Sequence, residues 1–202
     1  RIKTMGITGT YVKNKKEILD ASSYLIKLPE EHIGNWKKLF GNDNPIYIEI
    51  GMGKGNFIID MALNNPDINF IGIEKYSSVA SVAIKKMMEY NLPNLRVIIS
   101  DIMNLEELLK NKVDVIYLNF SDPWPKDRHA KRRLTSPNFL KLYDSLFKEK
   151  NIIIQKTDND NLFSYSLESI KNYGYEIQEI SYDLHSTNIL NVMTEYEEKF
   201  SN

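Results

Sequence analysis

From residue 46 onward the chain alternates short, nearly unbroken apolar runs with segments whose apolar residues recur at helical spacing. Runs that are apolar at almost every position must be covered on both sides, and parallel strands crossed over by helices are covered in that way. The runs are IYIEI (46–50), INFIGIE (68–74), LRVIIS (95–100), VDVIYLNF (113–120), NIIIQKT (151–157) and YEIQEISYDL (175–184). Within KGNFIIDMALN (54–64), Phe57, Ile58, Met61 and Ala62 share one helical face. Ala80, Ala83, Ile84, Met87 and Met88 do the same after Ser77, which is placed to cap that helix. NLEELLKN predicts a short helix; Ser136 and Pro137 predict a helix start, with Phe139, Leu140, Tyr143, Leu146 and Phe147 inward; a further helix ends before Gly174. The expected fold is α/β, a doubly wound and mostly parallel sheet. A chain of 202 residues with 42% hydrophobic content suits one domain over 1–202, residues 1–45 forming an irregular segment packed on or beside it.

Net charge is -1, so the chain as a whole is no basic nucleic-acid binder. Yet residues 126–133 hold Lys126, Arg128, Lys131, Arg132 and Arg133 against Asp127 alone, a local basic cluster in an otherwise acidic chain. The absence of cysteine excludes disulfides, thiolate nucleophiles and iron–sulfur clusters. His32, His129 and His185 are too scattered for a sequence-local metal site, and no metal is expected. No charged-then-apolar leader opens the sequence and no apolar run approaches the roughly 20 residues that span a bilayer, so a cytoplasmic protein without membrane contact is expected. Residue 1 is Arg, so the numbering is expected to begin inside a longer gene product. Monomer and homodimer both remain open.

In doubly wound sheets ligands bind beyond the carboxyl ends of the strands. The first strand ends in EIGMGKG, with Glu49, Gly51, Gly53 and Gly55; the second in Glu74; the third in Ser100-Asp101; the fourth in NFSDPWP; the fifth in Lys156-Thr157-Asp158. Taken singly these are turns and caps. Together, five polar signals at successive strand ends point to a nucleoside-type site, with Glu74 placed to accept from ribose hydroxyls and Asp101 to hold an adenine amino group. The dinucleotide fingerprint needs a third glycine where Asn56 stands, and a P-loop needs Ser or Thr after Lys54, where Gly55 stands. E-x-G-x-G-x-G followed by acids ending the next two strands instead resembles the S-adenosylmethionine pocket of the class I methyltransferases, a Rossmann-like fold.

NFSDPWPKDRHAKRRL (119–134), with EIGMGKG, IGIEK, QKTDN and TEYE, resembles the bacterial tRNA (guanine-N7)-methyltransferases over roughly residues 29–200. The resemblance implies tRNA as partner, S-adenosylmethionine as cofactor, and methyl transfer to N7 of a guanosine in the variable loop. It makes Glu49, Gly51, Gly53, Glu74, Asp101 and Asp122 cofactor positions, with Asp122 also the active-site acid. Lys126, Asp158, Thr194, Glu195, Tyr196 and Glu197 become substrate positions, and Arg128, His129, Lys131, Arg132 and Arg133 the phosphate grip. Guanine N7 carries an in-plane lone pair, so no proton need leave before it attacks, and positioning becomes the main catalytic task. Trp124 could stack on a base or plug the end of the sheet. Thr194 to Glu197 also satisfy Thr-x-x-Glu, a helix capping box.

The match weakens at both ends. RIKTMGITGTYVKNKKE lacks the family's usual opening, including its Trp. The chain stops at Phe200-Ser201-Asn202, where the family continues into a last strand, so the sheet is expected either to lack that strand or to gain it from residues not given. An NAD-dependent oxidoreductase and a noncatalytic RNA-binding module are the rivals; the first leaves the basic run and NFSDPWP unexplained, the second the intact acids.

Overall fold

The computed structural model describes residues 15–182 and 188–194. The strands are β1 (Ile46–Ile50), β2 (Asn69–Glu74), β3 (Leu95–Ile99), β4 (Val115–Asn119), β5 (Ile152–Thr157), β6 (Tyr175–Tyr182) and β7 (Asn188–Thr194). They form one sheet in the order β3-β2-β1-β4-β5-β7-β6. The first five are parallel, and β7 runs antiparallel between β5 and β6. The sheet therefore does not lack its antiparallel strand: Asn188–Thr194 takes that place, pairing Asn188 with Thr157 and Met193 with Ile152.

The helices are α1 (Trp36–Phe40), α2 (Asn56–Asn64), α3 (Ser77–Met87), α4 (Leu105–Leu109), α5 (Pro137–Leu146) and α6 (Asp160–Tyr173). Both faces are covered over the parallel strands β1 to β4, which is why these read as nearly unbroken apolar runs. β6, at the edge of the sheet, is exposed over most of its length, so YEIQEISYDL is not the doubly covered run expected. On one face Ile48, Ile50, Ile71, Ile73 and Ile98 pack with Trp36, Leu105, Tyr143 and Phe163. On the other, Phe70, Leu95 and Val97 pack with Ile58, Ala62, Ala83 and Met87. The stretch before β1 is tied down as well: Val97 N–H donates to Tyr24 O at 2.8 Å, and Trp36 Nε1 donates to Leu108 O at 3.1 Å.

Three local expectations are corrected. Ser77 is the first residue of α3 rather than its cap; Tyr76 holds the N-cap position, and the Ser77 hydroxyl instead accepts from Lys15 Nζ at 3.4 Å. Met88, expected inward, lies past the end of α3 and is 47% exposed. Phe139 is only partly buried, at the edge of the core.

Gly55 starts α2 with φ +83°, and a Cβ there would stand 2.9 Å from Ala83 Cβ on α3. Gly55→Ala therefore faces both the left-handed conformation, about 1–2 kcal/mol, and a contact that forces α2 away from α3. Thermal denaturation should show a lower midpoint, by roughly 2–4 °C for each kcal/mol in a chain of this size. An unshifted midpoint would mean that the turn relaxes freely.

Candidate active site

A cavity of about 620 Å³ opens beyond the carboxyl ends of the parallel strands, walled by Gly51, Glu74, Asp101, Phe120, Asp122 and Arg132, among others. The glycine turn after β1 forms one side. Gly51 and Met52 N–H both donate to Ile73 O, at 2.9 and 3.0 Å, which folds the turn against the end of β2. A Cβ on Gly51 or Gly53 would meet no atom within 4 Å, so open space lies against bare backbone.

Glu74 is 8% exposed, and its carboxylate is fixed by two backbone donors. Gly53 N–H reaches Oε1 at 3.2 Å and Tyr76 N–H reaches Oε2 at 2.9 Å. One bond to each oxygen leaves acceptor capacity on both. Asp101 does two jobs. Its Oδ1 accepts from Met103 N–H at 3.0 Å, capping the 3-10 turn Ile102–Asn104, while Oδ2 lies 3.9 Å from Lys75 Nζ.

Glu49 is not at the cavity wall. It lies in β1, 3% exposed, with Oε2 accepting from Asn119 Nδ2 at 2.8 Å and Oε1 lacking a protein partner. Burial pushes its carboxyl up to about 8, and the Asn119 hydrogen bond pulls it back only in part.

Beyond β4 the backbone turns sharply. Phe120 and Trp124 hold φ +51° and +44°, and Asp122 stands exposed between them. Phe120 N–H donates to Lys156 O at 2.7 Å; the residue is 54% exposed at the cavity, with Lys156 Nζ 5.9 Å from its ring centroid. Trp124 is half-buried and already engaged, with the Arg132 guanidinium 4.9 Å from its ring centroid and His129 edge-on at 5.7 Å. Ser121 also lines the cavity, and its Oγ has no protein partner.

The basic run forms the 3-10 segment Asp127–Arg132. Lys131 and Arg132 line the cavity itself. Lys126 and Arg128 are exposed outside it, as is Asp158 past β5. Arg133 departs from the expected phosphate grip: it is 9% exposed, and its guanidinium donates to the Pro123 and Trp124 carbonyls at 2.9–3.1 Å. Thr194 is not brought to the site, because antiparallel β7 carries it beside Tyr175, at the end of the strands opposite Asp158. Glu195, Tyr196 and Glu197 lie outside the described residues. Phe120 and Ser121 were missed as site residues. The signal was their place in NFSD between the strand and Asp122, but nothing in residue type marks the left-handed turn at Phe120.

Among the described residues no group of His, Asp or Glu is arranged to hold a metal ion, and no helix is long and apolar enough to cross a membrane. The strand order is that of the class I methyltransferase fold. Solved structures of that kind agree in fold: the aminoglycoside resistance methyltransferase NpmB1 (TM-score 0.61, 17% identity, covering 80% of this chain and 92% of that one). A 16S rRNA (adenine(1408)-N(1))-methyltransferase mutant from Catenulisporales acidiphilia gives TM-score 0.63 at 13% identity, over 82% and 90%. A family model described as "Putative methyltransferase" matches residues 43–202. The tRNA (guanine-N(7)-)-methyltransferase of Bacillus cytotoxicus is 53% identical over 186 residues, 91% of this chain and 86% of its own length. That of Lachnoclostridium phytofermentans is 48% identical over 193 residues, 94% and 90%. The chain belongs to the tRNA (guanine-N(7)-)-methyltransferases.

Glu49 sets a pH dependence whose sign follows from its raised pKa. Between about 4.5 and 8 the folded protein keeps a proton that the unfolded chain has lost, so this group makes stability fall as pH rises through that window. Glu49→Gln cannot titrate. Its urea midpoint should match wild type near pH 5 and exceed it near pH 8; an equal difference at both pH values would mean that Glu49 is ionised throughout.

Proposed function

We propose that the chain methylates N7 of a guanosine in the tRNA variable loop, with S-adenosylmethionine as donor and Asp122 as the carboxylate that meets the base. The observation that carries this reading is the shared cavity: Glu74, Asp101, Asp122, Lys131 and Arg132 all face one space. The residues fit the cofactor. Glu74, oriented by the Gly53 and Tyr76 amides, would accept from the ribose hydroxyls; the open side of Asp101 would hold the adenine amino group; and the bare backbone at Gly51 admits the amino-acid end. Glu49 contributes from beneath, where a nearby cation would favour its ionised form. When bound, S-adenosylmethionine supplies an electrophilic methyl group.

The remaining work belongs to the protein. N7 needs no general base, so Asp122 serves by accepting from the N1–H and N2–H edge of guanine and by stabilising positive charge that grows on the ring. Phe120, the more exposed of the two aromatic residues at the cavity wall, supplies an aromatic face for the base, since the half-buried Trp124 ring already carries the Arg132 guanidinium at 4.9 Å. Lys131 and Arg132 hold phosphate beside the reacting base, and Lys126, Arg128 and His129 extend that surface outward. Asp158, exposed outside the cavity two residues past Lys156, whose carbonyl holds Phe120, would contact the substrate nucleoside from the rim.

Asp122→Asn keeps the shape of the turn and removes its charge. Single-turnover transfer at saturating tRNA should fall roughly 10²-fold, while calorimetric titration shows a far smaller change in S-adenosylmethionine affinity. A wild-type rate would assign the catalytic role elsewhere and leave Asp122 as a turn-former.

A further inference from the structure

Arg133 belongs to the basic run in sequence and to the scaffold in space. Arg128, Lys131 and Arg132 are exposed, whereas Arg133 is 9% exposed. Its Nε donates to Pro123 O and Trp124 O, both at 3.1 Å, and Nη2 donates to Trp124 O at 2.9 Å. The guanidinium carbon lies over the Tyr165 ring of α6, 4.6 Å from its centroid. Both carbonyls belong to the two residues that follow Asp122.

The turn needs such a restraint. Phe120 and Trp124, non-glycine residues at positive φ on either side of Asp122, hold conformations that persist only where the surroundings over-determine them. The chain after Arg133 provides the fixed end. Ser136 N–H donates to Arg133 O at 3.0 Å, and the Tyr143 hydroxyl donates to Leu134 O at 2.8 Å. The fully buried Thr135 bonds through Oγ1 to Ser166 Oγ at 2.7 Å, and its carbonyl accepts from Ser169 Oγ at 2.6 Å. Arg133 thus spans from a segment bolted to α5 and α6 to the backbone of the Asp122 turn.

We infer that Arg133 is a positioning residue: it fixes where the Asp122 carboxylate stands and does not bind tRNA phosphate. The inference rests on Asp122 being the active carboxylate. A lysine retains the charge but not the planar fork that meets two carbonyls at once, nor the stacking on Tyr165. Charge and geometry can therefore be separated.

The experiment compares Arg133→Lys, Asp122→Asn and the double variant by single-turnover methyl transfer at saturating tRNA, and by tRNA affinity across a salt series. Arg133→Lys should slow transfer roughly tenfold to hundredfold, as a displaced catalytic group does, while leaving the salt slope at its wild-type value. In the double variant the Arg133 change should cost nothing further, because its effect passes through the carboxylate already removed. A wild-type rate for Arg133→Lys overturns the inference, as does a rate loss that multiplies with that of Asp122→Asn. So does an Arg133→Met variant whose salt slope drops by about 0.7–0.9, the signature of a lost phosphate contact. A wild-type rate for Asp122→Asn alone overturns the Asp122 reading itself and this inference with it. If Arg133→Lys does not fold, Tyr165→Leu removes the ring beneath the guanidinium while sparing every carbonyl bond. Slower transfer that Asp122→Asn masks supports the inference; full activity overturns it.

Discussion

The reversal of strand order between β1 and β4 is the constraint from which the site follows. From β1 the chain winds outward through β2 to β3, then crosses back to place β4 on the other side of β1. The turns leaving β1 and β4 consequently diverge, and a crevice remains between them. The glycine turn occupies one lip and the Asp122 turn the other. Beneath them the two strands are joined by the Glu49–Asn119 hydrogen bond at 2.8 Å, so the cofactor side and the base side of the crevice share one buried polar floor. A buried carboxyl with one unpartnered oxygen is costly in isolation. Its retention there is understandable if ligand binding completes its environment.

The turn on the β4 side holds the proposed catalytic carboxylate and also the strain. Asp122 is exposed and, among the described residues, its carboxylate has no hydrogen bond of the kind that fixes Glu74 and Asp101; its placement comes from neighbours. Phe120 is tied to Lys156 on β5, Pro123 and Trp124 are tied to Arg133, and the Trp124 ring carries the Arg132 guanidinium with His129 edge-on. The basic run that follows is therefore divided by depth. Arg133 faces inward to backbone carbonyls, Lys131 and Arg132 face the cavity, and Arg128 faces outward. On the proposed function, one short segment would serve the turn, the reacting nucleoside and the RNA backbone in succession. That division explains why an acid held by two prolines and a tryptophan opens directly into a cationic stretch.

Much of this was legible in the sequence. The alternation of apolar runs and helical periods gives the parallel strands and the helices, because β1 to β4 are largely buried on both faces; β6 is mostly exposed and is held by its pairing with β7. The strand-end rule finds Glu74, Asp101 and Asp122, because the topology brings those positions to one crevice whatever their neighbours are. What was not legible depends on contacts between distant segments. In DRHAKRRL every basic residue looks alike, and only the 3-10 turn and the nearby Pro123 and Trp124 carbonyls select Arg133 for the interior. Phe120 reads as the last residue of a strand; its left-handed conformation comes from the bond to Lys156 and carries no compositional mark. Ser77 satisfies the preference for a cap, but the helix begins one residue earlier relative to it. In Asn188–Thr194, NILNVMT shows no strict alternation and no glycine turn introduces it, so its antiparallel place rests on pairing with β5 and β6 rather than on local pattern.

The proposed function stands on one chemical event. Unmodified tRNA, incubated with the protein and S-adenosylmethionine carrying an isotopically labelled methyl group, can be digested and its fragments mapped by mass spectrometry. The account predicts a single labelled methyl on N7 of a guanosine in the variable loop. Label on another base or another guanine atom, or no label on tRNA that the protein demonstrably binds, would contradict it.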